Sequence, residues 1–461
     1  MDQHFEGPVV WRDDPTHEQT CRDLLWNALT PSRRPEAIVR VASDADVAAA
    51  VRLAADRDLQ VAVRSGGHSW IGSPLRDGTV LIDLGARRAV QVDEASSTAT
   101  VEPAVTSAEL ANTLAERGLA FPVGHCGTVG VGGYLLSGGL GWNSGAWGPA
   151  CASVTAVDVV TADGDLVRAS EDENVDIFWA ARGAGPGFPG VVTRFHLALQ
   201  PLPRAITTAT QVYDLAALDD LAPWASEVAA ALPVEVEMTL MLTEAGPDLP
   251  GEQERKVVVL TATAFVDTPD EVAGELAGLR TPPIPRLAER EEPSPYDVLF
   301  HDFGGRWREG SRFASDNVWT DGDLTDALLP LRTSLLEAPS PSSFAFAVMA
   351  PDPPEDEAEE ELPDMAFSMY ARTFVACYAM WDDAEDDAAN LEWLPTAMAA
   401  LEPGSAGHYV AEADLTAAAP RTARSYAAPA WDRLQDLQRR LDPDGRFPGY
   451  LGPEDRGTAA P

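Results

Sequence analysis

The sequence predicts an α+β fold in two lobes, and three observations carry the prediction. The chain has 461 residues, which exceeds the size at which one hydrophobic core usually stops growing. Residues 35 to 204 alternate short apolar strands with amphipathic helices, whereas from residue 205 the texture shifts to longer strands separated by helical stretches. We place a first lobe at 1–204, with its core at about 33–204, a second lobe at 205–410, and a closing segment at 411–461 that returns to the first.

Taken in order, AIVRV, DADVAAAVRLAADRD and LQVAVR read as strand, helix and strand. TVLIDL, RAVQVDE and TATVEP are short strands, and a helix from Ser107 to Arg117 is stopped by Gly118. In SVTAVDVVTADGDLVRAS, Ala-Asp-Gly-Asp between two β-rich runs predicts a hairpin. The helix NVDIFWAARG and the long strand GVVTRFHLALQPLPR close the first lobe. Beyond it, VEVEMTLMLT, KVVVLTATAFV, SFAFAVMA and RTFVACYAMW read as strands and DEVAGELAGL as a helix. The acidic, Pro-rich stretch at 351–364 reads as an exposed loop, and WDRLQDLQRRL as the last amphipathic helix.

Composition excludes several function classes. Hydrophobic residues at 45% and charged residues at 23% describe an ordinary globular chain. With 73 acidic side chains against 33 Lys plus Arg, the formal charge is -40, a surface that repels phosphate backbones and anionic lipid. No nucleic-acid or membrane partner is expected. The amino terminus has no basic, apolar leader and no later run approaches the length of a membrane span, so a cytoplasmic protein is the expectation. Four cysteines, Cys21, Cys126, Cys151 and Cys377, suggest neither a disulfide framework nor a zinc site. Cys151 and Cys377 sit among apolar residues, while Cys21 reads as part of an exposed amino-terminal helix.

Two stretches carry chemistry. Arg64-Ser65-Gly66-Gly67-His68-Ser69 follows a buried strand directly, and glycines there let successive N–H groups turn toward an anion such as a pyrophosphate. Between Gly124 and Gly148 lie ten glycines, a density that suits backbone approaching a flat, extended ligand. Neither run fits the nicotinamide fingerprint or a phosphate-loop pattern. Cys126 opens the second run beside His125, surroundings that favour a nucleophilic thiolate over a buried structural cysteine.

RSGGHSW, GHCGTVGVGGYLLSGGLGW, VDVVTADGDLV, DIFWAARGAGPGFPGVVTRF and RLQDLQRRLDPDGRF, in this order, resemble the berberine-bridge-enzyme-like FAD-linked oxidases. These belong to the vanillyl-alcohol oxidase and para-cresol methylhydroxylase (PCMH) superfamily. The resemblance is dense over residues 35–204 and looser over 365–448. It implies a PCMH-type FAD-binding lobe, a substrate lobe of antiparallel sheet and helices roofing the flavin, and FAD tethered through His68 and Cys126. Arg64, Ser65, Gly66, Gly67 and Ser69 would then cradle the pyrophosphate. Thr128, Val129, Gly132, Gly133, Gly138 and Gly139 would line the ribityl chain and ring, and Val191 and Val192 would offer backbone to the nucleotide or be plain core strand.

The implied reaction is an oxidation of an alcohol, hemiacetal or amine on a secondary metabolite or sugar, with dioxygen as acceptor. A dehydrogenase, a non-redox cyclase using FAD as scaffold, and a flavin-sequestering protein are the alternatives. The chain departs from the family pattern at Gly145 and Ala152-Ser153, where relatives often carry Arg and Asp-Asn, and more widely near the carboxyl terminus. Ala430-Trp431 stands where relatives have Asn-Tyr before Arg-Leu, and Pro448-Gly449-Tyr450-Leu451 where an Asn-Gln pair is common. The general base therefore does not transfer by position. Tyr450 is the first candidate because it lies in the returning tail, with Tyr426 and Tyr370 in reserve; for each, the alternative is a core tyrosine with a satisfied hydroxyl. The acidic candidates are too numerous to rank from the sequence.

Overall fold

Strand Ala37–Arg40, helix Asp44–Asp56 and strand Gln60–Arg64 follow one another as the apolar spacing predicts, in a computed structural model that describes residues 5–246, 255–304, 307–308, 310–352, 362–417 and 421–456. The Ser43 side chain accepts from the Asp46 amide at 3.2 Å, which meets one of the donors that a helix start leaves free. Val47, Val51 and Ala54 on this helix pack against Val39, Val61, Val80 and Ile82. Strand Thr79–Asp83 runs parallel between the other two and is buried at all five positions, which explains its unbroken apolar run. Val9–Trp11 adds an antiparallel edge.

A second sheet is antiparallel throughout, in the order Val90–Asp93, Thr98–Val101, Val191–Ala198, Val154–Val160, Leu166–Ser170. Its last pair is the expected hairpin, turning at Gly164 with φ +79. Helix Ser107–Ala115 opens with a reciprocal Thr106–Glu109 cap and ends ahead of Gly118, φ +68.

The third sheet has eight antiparallel strands, ordered Ala288–Pro293, Ala205–Asp214, Lys256–Val266, Val236–Glu244, Phe344–Met349, Thr373–Trp381, Arg312–Thr320, Ser405–Gly407. Side chains alternate between its faces. Leu240, Leu242, Ala345, Ala347, Val375 and Cys377 pack under helices Leu218–Ala231, Leu324–Leu328 and Asp387–Met398. Their neighbours in sequence, Met241, Phe344, Phe346, Phe374 and Tyr378, form a separate apolar cluster on the other face.

Helix Ala428–Leu441 begins three residues before the predicted stretch, with Pro429 in its first turn. The tail after it reaches the first sheet: the Val61 amide donates to the Arg446 carbonyl at 2.7 Å, and Phe447 enters the core there. Three expectations need correction or restriction. Cys21 is fully buried, because helix His17–Asp23 turns it inward onto Ile38 and Leu81. In the third sheet, strands Ala205–Asp214, Ala288–Pro293, Arg312–Thr320 and Ser405–Gly407 were not anticipated from the pattern. Most of the predicted acidic loop, 353–361, lies outside the described residues. Among the described residues no helix is long and apolar enough to cross a membrane.

Candidate active site

The strand Gln60–Arg64 ends in the first glycine loop, and Arg64 props that loop from beneath. Its guanidinium donates to the Leu24 carbonyl at 3.0 Å and to Asp83 at 3.2 Å. Gly66 lies back to back with Gly130 of the second glycine run; a Cβ on either would stand within 3 Å of the other's backbone. Glycine at both positions is therefore what lets the two runs meet. Together they wall a cavity of about 2000 Å³, to which Ser65, Gly66, Gly67, His68, Cys126, Val129, Gly132 and Gly133 contribute. Ser69 also lines it, with its hydroxyl engaged locally by Ser73 at 2.9 Å.

His68 and Cys126 come together in this wall. The Thr128 hydroxyl lies 3.0 Å from His68 Nε2 and 3.3 Å from Cys126 Sγ. The His68 ring stacks on Trp26 with centroids 4.7 Å apart. Burial of the imidazole, with the Arg64 cation as second cause, pulls its pKa down to about 4. The ring is therefore neutral at neutral pH and keeps a nitrogen lone pair for bonding.

The opposite wall is the aromatic face of the large sheet, and two of its residues, Tyr378 and Glu237, pair with Glu412 and with His125 of the second glycine run. Tyr378 on strand Thr373–Trp381 donates to Glu412 at 2.5 Å. Desolvation raises the Glu412 pKa, opposed by the Tyr378 hydrogen bond and the nearby charge of His125. His125 Nε2 contacts Glu237 at 2.6 Å; burial alone would lower the imidazole's pKa, but the Glu237 carboxylate outweighs it and raises it. All four of these residues line the cavity.

Glu412 is mounted from strand Arg312–Thr320. Ser315 Oγ donates to the Glu412 carbonyl at 2.9 Å, Asn317 clamps Tyr409 through two hydrogen bonds at 2.7 and 3.0 Å, and Asp316 accepts from the Asp414 amide at 3.2 Å. Behind them Arg421 pairs with Asp316 at 2.8 Å and faces His408 Nε2 at 3.3 Å. The sequence reading missed Glu412; its one signal is a carboxylate isolated in the apolar stretch Tyr409-Val-Ala-Glu-Ala.

Several expected site residues lie elsewhere. Gly138 and Gly139, both at positive φ, pack against Phe367 and Tyr134, and Val191 is core. Val192 lines the cavity. Tyr450 and Tyr426 are not brought to it: Tyr450 donates to the Ala184 carbonyl at 2.8 Å, Tyr426 to the same carbonyl at 3.0 Å, and the two hydroxyls are 3.0 Å apart. Burial raises both phenol pKa values, so these are packed core tyrosines rather than bases. Tyr370 stands half exposed at the cavity's rim beside Trp319.

Comparison with known proteins agrees with this geometry. The family described as an FAD binding domain matches residues 35–170. The FAD-linked oxidoreductase nodO of Hypoxylon pulicicidum is 33% identical over 452 residues, covering 96% of this chain and 97% of its own. Among solved structures, 6-hydroxy-D-nicotine oxidase from Arthrobacter nicotinovorans superposes with a TM-score of 0.81 at 24% identity, over 96% of this chain and 97% of that one. The Physcomitrella patens berberine-bridge-enzyme-like protein 1 gives 0.82 at 18% identity, over 96% of each chain. With its glycine loops, its two-walled cavity and a full-length relative at this identity, and with a fold shared with the berberine-bridge-enzyme-like structure, the chain belongs to the family of FAD-linked oxidoreductases.

Proposed function

We propose that this enzyme is an oxidase that holds FAD through His68 and Cys126 and oxidises an alcohol, hemiacetal or amine carbon of a small secondary metabolite or sugar, with dioxygen as acceptor and hydrogen peroxide as product. The observation that carries the reading is the convergence of His68 and Cys126 on the Thr128 hydroxyl, at 3.0 and 3.3 Å. The residues fit the group. The cavity is about twice the usual upper size of a small-molecule pocket, roughly 1,000 Å³. Its lining includes much glycine-rich backbone, and a neutral imidazole and the Cys126 sulfur both lie against the Thr128 hydroxyl. Ser65, Gly66, Gly67, Gly132, Gly133 and Val192 would hold the cofactor without side-chain forks, with Arg64 keeping their loop in place. When bound, FAD would supply the hydride acceptor and would be returned to its oxidised form by dioxygen, with hydrogen peroxide as product.

The chain's own residues supply the proton chemistry. Glu412 takes the proton from the substrate hydroxyl or ammonium as its carbon is oxidised. Its raised pKa suits that role, since an acceptor works best when its pKa approaches the operating pH. Tyr378 orients the carboxylate through the 2.5 Å hydrogen bond. The aromatic wall excludes water from the reacting carbon.

The acceptor is tested without knowing the substrate. Dithionite-reduced holoenzyme is mixed with air-saturated buffer in a stopped-flow instrument, and flavin colour and peroxide are followed. An oxidase regains its colour rapidly with one peroxide per flavin; slow reoxidation, with no stoichiometric peroxide, contradicts the reading and favours a dehydrogenase.

A further inference from the structure

Strand register decides what the cavity's roof offers a substrate. Met241 lies opposite Phe346, Phe344 opposite Tyr378, Val348 opposite Phe374, and Phe374 opposite Trp319. Directly opposed residues in antiparallel strands share a face, so these side chains form one continuous patch, and all of them line the cavity. Trp70 and Trp307 extend it: their rings lie 5.4 Å apart and reach Tyr378 at 5.4 and 5.0 Å. Trp307 also meets Phe344 at 5.3 Å.

Among the described residues, the hydrogen-bonding side chains of the lining stand around this patch more than within it. Glu412 and Tyr378 bind each other at one place, His125 and Glu237 at another and Arg372 and Asp352 at a third, while Trp319 adds one buried indole N–H. Between them stand Met241, Phe344, Phe346, Val348 and Phe374, which offer no side-chain donor or acceptor for a hydroxyl. Aromatic rings alone would also suit the apolar face of a sugar. A sugar additionally needs a partner for each peripheral hydroxyl, and every hydroxyl buried without one costs roughly tenfold in affinity.

We infer that the substrate is an extended, apolar ring system carrying a single hydroxyl or amine, and not an oligosaccharide. The inference rests on the flavoenzyme reading above and narrows it. The polar handle lies at the Glu412–Tyr378 pair and the skeleton lies along Phe346, Phe374 and the tryptophans, where apolar area leaves water and ring contacts add to the gain.

The test uses yellow holoenzyme, titrated anaerobically with 9-anthracenemethanol, a flat three-ring alcohol, and separately with cellobiose, while the flavin absorption is followed. The expected result is a saturable perturbation or bleaching by the aromatic alcohol at concentrations at least ~100-fold below any cellobiose response. Phe346→Ser should weaken the aromatic response by about tenfold, the loss expected when one buried ring is removed. Phe346→Leu keeps apolar bulk and should weaken it by roughly threefold, so the outcome remains readable if the serine variant does not fold. Equal or tighter cellobiose binding, no response to the aromatic alcohol at its solubility limit, or unchanged affinity in the leucine variant would each overturn the inference. A colourless protein before any addition is a failure of the cofactor reading itself. A yellow protein that prefers cellobiose overturns the substrate class alone.

Discussion

Glu412 and Tyr450 show why a site can be half legible in a sequence. His68 and Cys126 stood out because each sits in a glycine-rich stretch that resembles a motif of the FAD-linked oxidases, and the fold brings both to one hydroxyl. Glu412 was hidden among 73 acidic side chains, since nothing local distinguishes a carboxylate that faces a cavity from one that faces water. Tyr450 attracted attention through its place in the returning tail, yet its hydroxyl is spent on Ala184 and its ring fills the space that Gly187 leaves open. The two residues should therefore respond in opposite ways to substitution. Glu412→Gln is expected to slow anaerobic flavin reduction by a given substrate ~10²–10⁴-fold with flavin content unchanged. It should also abolish a rise of kcat/KM with pH whose midpoint lies above the ordinary carboxylate value, the direction set by desolvation of Glu412. Tyr450→Phe should leave that rate within about twofold and lower stability by ~1 kcal/mol, the usual loss for one hydrogen bond. A Tyr450→Phe rate that falls as far as the Glu412→Gln rate would return the base to the tail.

At the scale of elements, the strands that the sequence disclosed are those with an unbroken apolar run or a clear alternation. Ala288–Pro293 was missed because its side chains are nearly all exposed and charged, AEREEP, as befits a protected edge. Arg312–Thr320 was missed because Ser315, Asp316 and Asn317 interrupt its apolar pattern. Those same three polar residues mount the Glu412 segment, so the break in local pattern coincides with the site. His408 belongs to this mounting and is fully buried: Nδ1 donates to the Asn317 carbonyl at 2.6 Å, and Nε2 accepts from Arg421 at 3.3 Å. Burial is the main cause that lowers its pKa from 6.5 to about 4. Between those two values the unfolded chain binds a proton that the folded chain refuses, so folding stability falls as pH drops from about 6.5 to about 4. Denaturant midpoints measured across this window should decline with acidity, and His408→Asn should flatten part of the slope. An unchanged slope in that variant would mean that His408 is not the neutral link between Asn317 and Arg421.

For the whole molecule, a fold of two walls was readable from the change of texture near residue 205, whereas the contents of the cavity between the walls depended on register that no single strand reveals. One wall is built from two glycine runs that touch at Gly66 and Gly130, the other from one face of an eight-stranded sheet. The tail from Arg446 to Gly449 completes the first wall by pairing with Val61 and by receiving a hydrogen bond from Arg76, at 2.7 Å in each case. Everything proposed for the reaction depends on a flavin fixed at the His68 and Cys126 end of this cavity. Intact-mass spectrometry of acid-denatured protein reads that directly. Wild type, His68→Ala and Cys126→Ala should each keep the added mass of one FAD, and the double variant should lose it. Wild-type chains that shed all flavin on denaturation, or a double variant that retains it, would contradict the account.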